Sequence, residues 1–218
     1  MNPVDRVVFS LDWITITLFL SMILLTLGKY LFQSRFMNFM ILPFNDKYIL
    51  LHNKKGQLLN WFHILLTLFQ LLNLSLFLFL IQKHLLAAPL GDDQIAFFWI
   101  LGFLTLFELA KLGVQYLKGF IFETSHLISE LIFHKISYLN FSSLIMLIGN
   151  IVVIYILNDS KMVIYATILL VLAINGIGVI KLLKNYQKAL IPHVLYFILY
   201  LCTLEIAPLV LIGSYLKD

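Results

Sequence analysis

Long apolar stretches alternate with shorter polar connections along the whole of this chain. A bilayer core takes roughly 20 residues of α-helix to cross. Six stretches reach that length, at 8–28, 58–81, 95–117, 138–158, 162–180 and 192–215. None shows the short alternation of polar and apolar residues that marks a membrane β-barrel. The pattern predicts an all-α, polytopic transmembrane bundle formed by residues 1–218 as a single domain. The first stretch is expected to be a retained span. It has Asp5 and Asp12 where a signal peptide has basic residues, and it lacks a small-residue cleavage site.

Between the first two stretches lies "FMNFMILPFNDKYILLHNKKGQ", which is still apolar but is interrupted by Pro43 and the Asn45-Asp46 turn signal. The run before Pro43 is too short for a seventh span, so a surface-lying or re-entrant segment is expected. A second connection, "KGFIFETSHLISELIFHKIS" at 118–137, places Glu123, His126, Glu130 and His134 on one helical face with apolar residues over much of the rest. It reads as a cytoplasmic amphipathic helix lying on the membrane, or as an extension of the third or fourth span.

Charge sets the expected orientation. The connections at 28–57, 118–137 and 181–191 carry ten Lys and Arg between them, and the opposite side carries four. The positive-inside rule places the basic connections in the cytoplasm and both termini on the opposite side of the membrane. Trp13, Trp61 and Trp99 fall near span ends, where indole rings anchor at the interface.

Composition narrows the function. The chain is 61% hydrophobic and 12% charged, far from the roughly 25% charged residues of soluble domains. Its net charge of +4 is spread over connections, with no basic run to suit nucleic acid. The single cysteine, Cys202, has no identifiable acid–base partner. No Gly-rich phosphate loop or hydrolase motif occurs, so an enzyme acting on a lipid or membrane-embedded cofactor is the weakest of the readings.

Polar residues inside the spans form stripes. Asn60, His63, Thr67, Gln70 and Asn73 follow one face of the second span, and that face should point into the bundle. Thr105, Glu108, Lys111, Gln115 and Lys118 do the same on the third. Glu108 and Lys111 are one turn apart and suited to pair, or to line a cavity open to the cytoplasm. The fourth span offers Asn140, Ser143 and Asn150, with Ser142 and Gly149 beside them, and "AINGIG" at 173–178 suits close helix packing. Glu123, His126, Glu130 and His134 have helical spacing that can bind metal, but only one Glu-x-x-His copy is present where di-iron bundles use two. His63 and His193 are a remote candidate pair for haem. No cofactor is expected.

In the sixth span, Glu205 stands alone among apolar residues, three positions before Pro208. The proline ring crowds the carbonyl of Leu204 and bends the helix. A carboxylate near the midplane must be protonated, hydrated or paired, with Lys111 as one partner if the third and sixth spans touch.

The surrounding "LYFILYLCTLEIAPLVL", and above all its YLCTLEIAP block, resembles the C-terminal signature of an uncharacterised integral-membrane family of Bacteroidota, a domain of unknown function of about this length. The resemblance implies an inner-membrane location and no particular activity. The leading expectation is a non-enzymatic subunit or accessory factor of an envelope complex, with the lipid bilayer and other membrane proteins as partners. The alternative is a small ion- or proton-coupled transporter using Glu205, Glu108 and Lys111.

Overall fold

A computed structural model describes residues 12–45, 48–49, 60–86, 92–121, 125–157 and 160–185. These residues form helices and turns, with no strand among them. The helices are α1 (Asp12–Leu31), α2 (Gln33–Met40), α3 (Trp61–Ile81), α4 (Asp93–Ile121), α5 (Ser125–Ile151) and α6 (Lys161–Asn185). Five of them, all but α2, are long and apolar enough to cross a membrane. They overlap the first five predicted stretches. The sixth stretch, 192–215, lies outside the described residues.

Several boundaries move. α1 runs through Gly28 to Leu31, because one buried glycine costs a helix only about 1 kcal/mol. α5 begins at Ser125, well before the expected 138, since His134 and Ser137 turn into the protein and do not interrupt the helix. The segment at 118–137 is no separate surface helix: it continues α4 to Ile121 and opens α5 at Ser125. α3 and α5 each finish in a wider π-helical turn, at Gln82–Leu86 and Val152–Ile156. Lys83 in the first of these pairs with Asp93 at the start of α4, at 2.6 Å. The pair is exposed, so its contribution is small.

α3 and α5 are the central helices. Half of each apolar window is buried, against 22% for α1, 11% for α4 and 17% for α6. α3 packs on α1, α4 and α5, and α5 also packs on α6. α3 and α5 run parallel: His63 stacks on Phe133 near their starts, and Asn150 reaches Asn73 further along. Parallel neighbours need a return crossing, which α4 supplies by packing against both.

α5 and α6 are antiparallel and unusually close. A Cβ on Gly149 would sit 2.5 Å from Thr167 Oγ1, and one on Gly178 would sit 2.6 Å from Tyr138 Cγ. The two glycines, one on each helix, let the partner's side chain lie on bare backbone.

At the end where α1 stops and α3 starts, the chain folds back into the bundle. Pro43 lacks the N–H a helix needs, and α2 gives way to tight turns, with Asn45 N–H donating to Ile41 C=O at 2.8 Å. Phe36, Phe39, Leu42, Tyr48 and Ile49 are buried against Phe62, Leu66, Phe133 and Tyr138. Trp13, Phe79 and Phe97 close the opposite end with ring centroids 5.2–5.3 Å apart.

Candidate functional site

The polar stripe of α3 faces inward over most of its length. His63, Gln70 and Asn73 are buried, Thr67 is half-buried, and Asn60 sits in extended conformation just before the first turn. α5 presents its own buried row: His134, Ser137, Asn140, Ser142, Ser143 and Asn150. Most hydroxyls are satisfied locally. Thr67, Ser137 and Thr167 donate to carbonyls four residues back, and Ser143 donates to that of Asn140 at 2.6 Å.

The amides differ. Asn73 Nδ2 donates to the Phe69 carbonyl at 2.9 Å, and Asn150 Nδ2 donates across to the Asn73 carbonyl at 3.2 Å. A carbonyl only accepts, so these bonds fix which end of each amide is nitrogen. Among the described residues, the Oδ1 atoms of Asn73 and Asn150 have no hydrogen-bond partner, nor do Gln70 Nε2, either polar atom of Asn140, or either ring nitrogen of His63. His63 lies flat against Phe133, at 5.2 Å between centroids. An unpaired buried polar group costs about 1–3 kcal/mol, so this seam is an expensive core.

The second constellation is charged. Glu108 and Lys111 of α4 meet Lys135 of α5, with Leu112, Ile132, Ile136 and Leu139 completing the walls of a groove whose enclosed part is about 20 Å³. That volume admits about one water-sized atom. The buried Lys135 Nζ lies beside Lys111, with Glu108 near both. Lys111 Nζ also sits 5.8 Å from the Phe107 ring centroid.

These two constellations occupy different faces of α5. Residues 132, 135, 136 and 139 meet the charged groove, whereas Phe133 meets His63. At 100° per residue, the faces are roughly a third of a turn apart. The polar stripe of α3 and the Glu108–Lys111 pair thus do not line one chamber.

The segment 33–45, with Tyr48 and Ile49 beyond it, is tied to α5 and α6. Tyr138 O–H donates to the Leu42 carbonyl at 3.3 Å, and Lys181 Nζ donates to the Pro43 carbonyl at 3.1 Å. Tyr48 stacks on Phe133 at 5.8 Å. Burial pushes its phenol above the ordinary tyrosine range, against the smaller opposing effects of Arg35 and Ser137.

Sequence reasoning did not single out Tyr138, Lys181 or Gly178 as connecting residues, and it counted Lys135 as a loop cation. Only the packing of α5 against α4 and α6 reveals them. The Gly178 signal was present in the AINGIG run. Of the metal candidates, His134 is buried and stacked on Tyr138 at 5.0 Å. Glu123 lies outside the described residues, as do the side chains of His126 and Glu130. No group of three or more His, Cys, Asp or Glu suited to a metal occurs among the described residues. Glu205, Pro208 and His193, and the side chain of Gln115, also lie outside the described residues.

The chain matches no curated protein and no solved structure. A family model described as a domain of unknown function, DUF4271, matches residues 14–216, nearly the whole sequence. Membership of an uncharacterised family was the expectation from the C-terminal segment. An apolar bundle with five helices able to cross a membrane, matched from its first helix almost to its last residue, therefore belongs to the DUF4271 family.

Proposed function

We propose that this chain is a non-enzymatic, multi-span protein of a bacterial inner membrane, serving as a subunit or accessory factor of an envelope complex. In this reading the basic connections face the cytoplasm and both termini are periplasmic. The observation that carries it is the segment 33–45 with Tyr48 and Ile49. It fills the end of the bundle between α3, α5 and α6 with buried aromatic side chains, and Tyr138 and Lys181 hold it there. Such a filled end suits a fixed structural component better than a path for solute. α4, only 11% buried in its apolar window, leaves most of its surface to lipid or to a partner helix.

The test is purification from the native membrane in mild detergent, followed by native mass spectrometry for proteins, lipids and metals. The expected result is another membrane protein at fixed stoichiometry. Recovery of the chain alone counts against the reading. So does a Glu205→Gln variant that assembles normally yet abolishes solute uptake or growth.

The second reading, an ion- or proton-coupled transporter, is favoured by the buried amide oxygens of Asn73, Asn140 and Asn150, which have no hydrogen-bond partner among the described residues. Uptake by the purified chain in vesicles, lost on Asn140→Leu, would establish it in place of the first.

A further inference from the structure

Around α5, the helices α4 and α6 leave a gap between them. Ile132, Ile136 and Leu139 face α4, whereas Tyr138 and Gly149 face α6. At 100° per residue, these two lines on α5 are about 100° apart. Two helices each packed about 9 Å from α5 then stand about 14 Å from one another, beyond the 8–10 Å of packed helices. α4 and α6 accordingly make few contacts with each other. Ser142 lies between the two lines and is fully buried as the floor of the gap. Lys135, seven residues earlier, shares that face and meets Lys111, so Lys111 and Phe107, one turn apart, mark the α4 wall. On α6, Lys181 and Asn175 stand about 60° to either side of Gly178. Lys181 turns to the Pro43 carbonyl, so Asn175 turns to the gap.

We propose that this gap is the docking site of the chain's own C-terminal apolar stretch, residues 192–215, packed antiparallel to α6 and against α4.

Three observations carry this. The first is reach. α6 ends at Asn185, and only residues 186–191 separate it from Pro192. A connection that short joins antiparallel neighbours, so the stretch starts beside the end of α6. Segment 33–45 already occupies the Lys181 side of α6, which leaves the Asn175 side. The second is surface. The apolar windows of α4 and α6 are the least buried of the five, at 11% and 17%, and a helix in the gap covers both at once. The third is a polar match. Asn175 Nδ2 donates to the Val171 carbonyl at 2.9 Å, so its Oδ1 is left to accept. Asn175 lies about 15 Å back from the end of α6, and Thr203 about 16 Å on from Pro192. The hydroxyls of Tyr200 and Thr203 therefore come level with that oxygen as donors.

The experiment uses the full chain in native membranes. Cys202 is the single native cysteine, and Cys202→Ser clears the background. One new cysteine replaces Asn175 on the gap side of α6, Phe107 on α4, or Ala173 on the opposite face of α6. A second is moved through positions 199 to 203, one full helical turn, so that each wall meets some position. Oxidation by copper phenanthroline is read as an intramolecular disulfide by mass spectrometry. A disulfide needs Cα atoms within about 7 Å, so Asn175→Cys and Phe107→Cys should each close with at least one position, at least about five-fold faster than Ala173→Cys. Closure from Ala173→Cys alone puts the stretch on the outer face of α6 and overturns the proposal. Closure from neither α6 position, or disulfides formed only between two copies of the chain, overturns it too. Closure from Asn175→Cys without Phe107→Cys overturns the contact with α4, and with it the filling of the gap.

Discussion

The ring of Tyr138 lies directly on the backbone of Gly178, so close that a Cβ at Gly178 would stand 2.6 Å from its Cγ. From that position the Tyr138 hydroxyl reaches the Leu42 carbonyl of the inserted segment. One missing methyl group on α6 therefore lets α5 hold the segment that fills the end of the bundle.

Gly178→Ala should separate α5 from α6 or displace Tyr138, at a cost of about 1–3 kcal/mol. Gly176, two residues earlier, has nothing within 4 Å of its would-be Cβ. Gly176→Ala should be neutral or stabilising by up to about 1 kcal/mol through helix propensity. Thermal unfolding in detergent compares the two. Equal midpoints would show that the close approach contributes nothing.

Gly149→Ala should destabilise for the same reason, through Thr167 Oγ1 at 2.5 Å and Cγ2 at 2.8 Å. Removing both Thr167 atoms relieves most of the clash, since the remaining Thr167 Cβ stands at 3.2 Å. The double variant Gly149→Ala/Thr167→Ala should recover most of the lost stability. A double-mutant cycle measures the coupling, and strict additivity would mean the two residues do not meet.

Asn140 is fully buried with neither polar atom partnered among the described residues, whereas Asn150 donates one interhelical bond. Asn140→Leu should stabilise the protein by about 1 kcal/mol or more by removing that penalty. Asn150→Leu should gain less, because it also discards a bond worth about 0.6 kcal/mol in a membrane. A marked loss of stability in Asn140→Leu would reveal a bound partner for its amide and favour the transport reading.

Raising pH above 10 should loosen the inserted segment. There an exposed tyrosine sheds its proton while buried Tyr48 keeps it, so the packed form holds the extra proton and further rise in pH favours the open form. A Phe39→Cys variant should become more reactive to a thiol probe than a matched exposed cysteine as pH passes 10. Tyr48→Phe should remove that difference, and a difference that survives the substitution would assign the effect to another group.

Much of this was legible in the chain itself. The lengths of the apolar runs marked the five described helices long and apolar enough to cross a membrane, because hydrocarbon thickness and helix rise leave little freedom. The 3–4 spacing of His63, Gln70 and Asn73 placed them on an inward face, because polar groups in lipid must turn toward other polar groups. Tertiary structure alone decided which helices meet. Nothing local distinguishes Lys135 in a loop from Lys135 beside Lys111, or shows that Glu108 and His63 meet different faces of α5. Nor does local pattern show that an apolar connection too short to span the bilayer folds back between α3, α5 and α6 and is held there by Tyr138 and Lys181. Apolar surface drives residues out of water without naming their neighbours. The choice of neighbour rests on shape, and here it turns on two glycines.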